Sequence, residues 1–170
     1  MQSRARLLGH PIHPMLIVFP LGLLGMAAIF DLVGVFRHET RWSEVAFWMI
    51  GAGVVTGLLA AVFGLVDWTA IPSGTRAKTI GLLHGGANVV AVALFAASWW
   101  LRRGHSGSPG TLPLALGWAG LVVALFGGWL GGELVDRLGV GVDDGAHLDS
   151  PNSLSGRPAT DSTHHTPRVA

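Results

Sequence analysis

His10, His13, Asp67, His84 and Glu133 are ionisable residues that fall inside or at the edges of long apolar stretches of a 170-residue chain. Imidazoles and carboxylates hold metals and haem and carry protons, and within apolar spans such groups usually face a protein interior or a cavity. His10 and His13 stand in two His-Pro pairs, His10-Pro11 and His13-Pro14. A residue before proline avoids the α region, so both histidines should lie in an extended or turn-like approach to a first helix that starts at Pro14. His84 and Asn88 share one helical face with Gly81 and Gly85.

Two kinds of site can be drawn from these residues. His10, His13, His84 and Asn88 are the candidate cofactor-binding set, with His84 and one of His13 or His10 as axial ligands of haem b. His13, Asp67, His84 and Glu133 are the candidate ligands of a divalent metal. Each residue also has a structural reading. Asp67 and Glu133 could pair with Arg76, Lys78 or Arg137 at headgroup level, His13 could cap its helix, and His84 with Asn88 could fix helix packing. Asp31 is expected to reach Arg37 or Arg41, or to serve packing. Met15, two residues past His13, could be drawn as a soft copper ligand. His147, His164 and His165 fall in a polar C-terminal segment and read as solvated side chains.

The elements that position these groups follow from an uneven distribution of charge. Only 12% of the residues are charged, against about 25% in soluble domains. The stretches 14–36, 45–66, 79–101 and 113–135 contain two charged side chains between them, Asp31 and Glu133. Each is long enough to cross a hydrocarbon core, which takes about 20 helical residues. The sequence therefore predicts an all-α fold: a four-helix transmembrane bundle over residues 1–142, and a disordered polar tail over 143–170. Pro20 should kink the first span. Glycines four apart, Gly53 and Gly57, Gly81 and Gly85, Gly127 and Gly131, Gly128 and Gly132, suit close helix packing in lipid. The basic, apolar N-terminus reads as an uncleaved first span.

Four spans place both termini on one side. Arg4, Arg6, Arg76, Lys78 and Arg137 stand near the membrane there, against Arg37, Arg41, Arg102 and Arg103 opposite. The balance points to cytoplasmic termini in an inner membrane.

A net charge of +1 without a basic stripe excludes a nucleic-acid partner. The absence of cysteine removes disulfides, thiolate metal sites, iron–sulfur clusters and covalent haem attachment. No P-loop, HExxH or GxSxG occurs, and the chain leans away from an enzyme.

The string from Gly9 to Leu16, with Phe19-Pro20-Leu21-Gly22 after it and Asp31 ending the span, resembles the bacterial membrane family catalogued as domain of unknown function 2231. Gly64 to Asp67, His84 to Asn88, Gly128 to Val135 and Gly139 to Val142 continue the likeness, over about residues 9–142. Relatives often carry a further histidine where this chain has Val18, and commonly a tyrosine in place of Asp136. In some relatives the domain is joined to a Rieske or cytochrome c-like module, which implies a place in membrane electron transfer. Three functions are consistent with these features: an accessory or scaffold subunit of a membrane complex, with a membrane redox partner or a second copy of itself; a haem b or metal-binding redox subunit using His13 and His84; and a small proton-coupled transporter or channel in which Asp67, His84 and Glu133 form a relay.

Overall fold

The computed structural model describes residues 1–162; His164 and His165 lie outside the described residues. A two-stranded antiparallel hairpin comes first, β1 (Arg6–Leu7) and β2 (His10–Pro11). Five helices follow: α1 (Ile12–Leu16), α2 (Val18–Arg37), α3 (Thr40–Ala70), α4 (Arg76–Leu101) and α5 (Thr111–Gly132), the last running into a π-helical turn, Glu133–Arg137. Helix is the fold these stretches must take in lipid, because it satisfies every backbone group within its own segment.

Four helical units are long and apolar enough to cross a membrane, namely Ile12–Arg37, Thr40–Ala70, Arg76–Leu101 and Thr111–Arg137. They correspond to the four stretches read from the sequence and extend beyond each by a few residues. The second, of 31 residues, is about 46 Å long at 1.5 Å per residue, so it projects past a hydrocarbon core of about 30 Å. The expected kink is present: the first span breaks at Ile17, three residues before Pro20, whose ring lacks an N–H and crowds the carbonyl four residues back. His38 ends α2 in the left-handed conformation, with its N–H on the Gly34 carbonyl.

Packing is closest within two hairpins, α2 with α3 and α4 with α5, which meet along α3 and α4. The shared core consists of Leu24, Ala27, Ala46, Ile50 and Phe95. Gly53 receives Leu24, and Gly120 receives Phe95. Both Gly53 and Gly57 face neighbours, as do Gly127 and Gly131, whereas Gly85 and Gly128 face open space. Large apolar side chains on every span, among them Phe19, Val55, Leu82 and Val122, point outward. A helix apolar all round is what a bilayer requires.

Residues 143–162 contain no helix or strand, in keeping with their composition, but form a series of turns. They are tied back to the N-terminal hairpin, Arg6 pairing with Asp143 at 2.8 Å.

Candidate functional site

At the end of the bundle where α1 begins, the break between α1 and α2 delivers His13 to the flank of α3. Its Nδ1 donates to the Ala60 carbonyl at 2.9 Å. On the other hairpin, the Nδ1 of His84 donates to the Gly127 carbonyl of α5 at 2.8 Å. A carbonyl can only accept, so Nδ1 of each ring carries a proton, and the neutral tautomer compatible with this bond has its lone pair on Nε2. The two rings stand with centroids 6.2 Å apart and planes at 89°.

Both seats depend on glycine. A Cβ at Gly64 would lie 2.9 Å from the His13 ring, and one at Gly131 would lie 3.2 Å from that of His84. The Nδ2 of Asn88 donates to the His84 carbonyl at 2.9 Å. The same atom is 3.4 and 3.2 Å from the two nitrogens of the His84 ring. These distances set the amide against the imidazole, which it braces.

The other expected site residues are engaged elsewhere. Asp67 accepts from Ser3 Oγ at 2.6 Å, Arg4 N at 2.8 Å and Ala5 N at 3.1 Å, and so fastens the segment that precedes the hairpin. Glu133 pairs with Arg76 at 2.7 Å, one of the partners its sequence position suggested. His10 lies exposed on β2, its Nε2 3.3 Å from Ser153 Oγ. The structure brings together His13, His84 and Asn88. It does not bring Asp67, Glu133 or His10 to them, and among the described residues no group of three or more His, Asp or Glu side chains could hold a metal. His147 is occupied within its own turn, its Nδ1 accepting from Asp149 N at 3.2 Å.

The opposite end holds a polar centre that sequence reasoning did not assign. Asp31 does not reach Arg37 or Arg41. It receives Nη1 and Nη2 of Arg102, both at 2.7 Å, and the two side chains are 4% and 0% exposed. Arg102 Nε donates to Ser98 Oγ at 3.2 Å, and Ser98 Oγ to the Pro113 carbonyl at 2.6 Å. The pair thus joins α2 to the end of α4 and the start of α5. Two signals pointed to it: Asp31 is the sole charge in its stretch, and Ser98 precedes Arg102 by one helical turn.

Beside this centre an open hollow of about 380 Å³ is lined by residues that include Gly34, His38, Ser43 and Gly107. Glu39 stands at its rim, accepting from Trp42 Nε1 at 3.0 Å and pairing with Arg41 at 2.6 Å. Desolvation pushes the Glu39 carboxyl up, but the Arg41 charge, hydrogen bonds from Arg41 and Trp42 and the more distant Arg37 charge outweigh it and hold it below the usual carboxylate range.

A protein family described as predicted membrane protein (DUF2231) matches residues 9–144 of the chain. Neither a curated protein nor a solved structure matches it.

Proposed function

The chain belongs to the DUF2231 family of predicted membrane proteins, and we propose that it acts as a non-enzymatic accessory or scaffold subunit of a bacterial inner-membrane complex, one linked to electron transfer. The observation that carries this reading is the use made of its charged groups. Asp31 and Arg102 tie three helices together, Asp67 fastens the N-terminal segment, and Glu133 closes on Arg76. Groups engaged in this way hold a shape and are not arranged as a path across the membrane. Reconstituted into liposomes, the protein should pass no protons or ions. A flux that disappears in Asp67→Asn would replace this reading with that of a proton-coupled transporter.

A second reading has a specific observation in its favour. His13 and His84 each give Nδ1 to a backbone carbonyl and retain Nε2, the arrangement by which proteins orient imidazoles that bind a metal or haem iron. On this reading the bundle is a cofactor-binding redox subunit, with haem b or a metal at His13 and His84, Asn88 bracing the latter. Purification from membranes tests it: a Soret band or bound metal lost in His84→Gln supports it, and a colourless, metal-free protein removes it.

A further inference from the structure

The spacing of the two imidazoles narrows what they can hold. Sharing one hydrogen bond would bring the ring centres to about 5 Å, with about 2.9 Å between nitrogens and about 1.1 Å from each nitrogen to its ring centre. With a nitrogen of each ring on the line between the centres, the observed 6.2 Å leaves room for one atom between them. A metal ion bonded to a nitrogen of each ring at about 2.0 Å puts the centres about 6.2 Å apart. The perpendicular planes do not oppose this, since a ring can turn about a metal–nitrogen bond.

Charge and ligand number then select the ion. Asp67 and Glu133 are engaged by other partners, so the two rings offer two neutral nitrogens and no anion. A divalent ion such as zinc seeks four ligands, and its charge would go uncompensated among apolar helices. A porphyrin needs a wide slot between the rings. Here the rings lie directly on α3 and α5 at Gly64 and Gly131, while Pro20, Gly57 and Val92 bring α2, α3 and α4 together within one turn of Ala60. Cuprous copper has a filled d shell and a single charge, and is content with two ligands in line. Met15 is 48% exposed and not needed.

We propose that His13 and His84 bind one cuprous ion in two-coordinate geometry through their Nε2 atoms. This rests on the cofactor reading above and names the cofactor. The site draws the two hairpins together, since His13 is tied to α3 and His84 to α5.

The experiment uses the full chain in detergent, loaded anaerobically with Cu(I) against a chromogenic chelator. One ion per chain should be retained, and X-ray absorption should show two nitrogen neighbours at about 2.0 Å. His13→Gln and His84→Gln can each still donate to the Ala60 or Gly127 carbonyl while losing the ligand, and should weaken binding by about 100-fold. His13→Met loses that hydrogen bond but supplies a soft ligand, so it should retain most of the affinity. Binding unchanged in both Gln variants, or three or more neighbours around copper, would overturn the proposal. A Soret band or stoichiometric zinc lost in His84→Gln would overturn it while leaving the broader cofactor reading intact. No retention of copper, haem or zinc would end both.

Discussion

Arg102 places both terminal nitrogens on the Asp31 carboxylate at 2.7 Å, across the bundle from α4 to α2, with neither side chain open to the surroundings. Ser98 completes the arrangement by joining Arg102 Nε to the Pro113 carbonyl. Ser98→Ala should therefore leave the buried Arg102 Nε short of a partner, while the Pro113 carbonyl keeps only the longer bond from Arg102 Nη2 at 3.4 Å, at a cost of about 1–3 kcal/mol. Denaturant unfolding of the detergent-solubilised protein would measure it; an unchanged midpoint would mean that Arg102 holds its place without the hydroxyl.

Asp67 collects one hydroxyl and two backbone N–H groups from residues 3 to 5. Asp67→Ala should release the N-terminal segment while the spans remain folded. Amide exchange of Arg4 and Ala5 should accelerate by roughly 10-fold or more, in line with the loss of at least about 1.4 kcal/mol of charge-assisted hydrogen bonding. Exchange in α4 should not move.

Gly64 gives His13 its seat. Gly64→Ala would drive a methyl against the ring, where the free approach is 2.9 Å, and should cost about 1–3 kcal/mol through overpacking. The imidazole would also leave the Ala60 carbonyl, visible as a shift of the His13 ring nitrogens in a nitrogen NMR spectrum. Gly85→Ala, facing open space, should leave both the spectrum and the stability unchanged.

Glu39 carries a pH dependence whose sign follows from its lowered pKa. A carboxyl held below its unfolded value stabilises the fold at pH above that value, about 4.3, and loses the contribution as pH falls through the lower, folded one. The Trp42 indole N–H signal, whose hydrogen bond runs to Glu39, should stay constant down to the ordinary carboxylate range and shift only beneath it. In Glu39→Gln the signal should no longer respond to acid.

The spans were legible because charge depletion over some twenty residues has one physical cause, the exclusion of charge from hydrocarbon. Pro20 likewise announced the break at Ile17, since a missing N–H and a steric clash are local properties. The meeting of His13 with His84 was only half legible. Sequence position set both near the same membrane face, but the rotation of each helix, which turns Asp67 toward Ser3 and Glu133 toward Arg76, comes from packing on Gly64 and Gly131. Asp31 shows the same limit. Its nearest cations in the chain are Arg37 and Arg41, yet α2 and α4 approach in space, and desolvation rewards the partner that can be buried with it. Glycine spacing of four was equally ambiguous, since Gly127 and Gly131 face the bundle while Gly128 does not.

Orientation and span count are open to a direct check, because each span reverses the chain. Reporter fusions after His105 and after Asp143 should lie in opposite compartments, with the second in the cytoplasm if the basic residues near the termini decide the insertion. The same compartment for both would contradict four spans.

The central claim, that the charged groups of this bundle serve its architecture, is tested most directly by a double-mutant cycle on Asp31 and Arg102, read as unfolding free energy in detergent. Asp31→Asn and Arg102→Met should each cost about 3–5 kcal/mol by leaving the other charge buried and unpaired, and the double variant should recover much of that loss. Single variants as stable as the parent protein, or a double variant whose loss is the plain sum of the two, would contradict it.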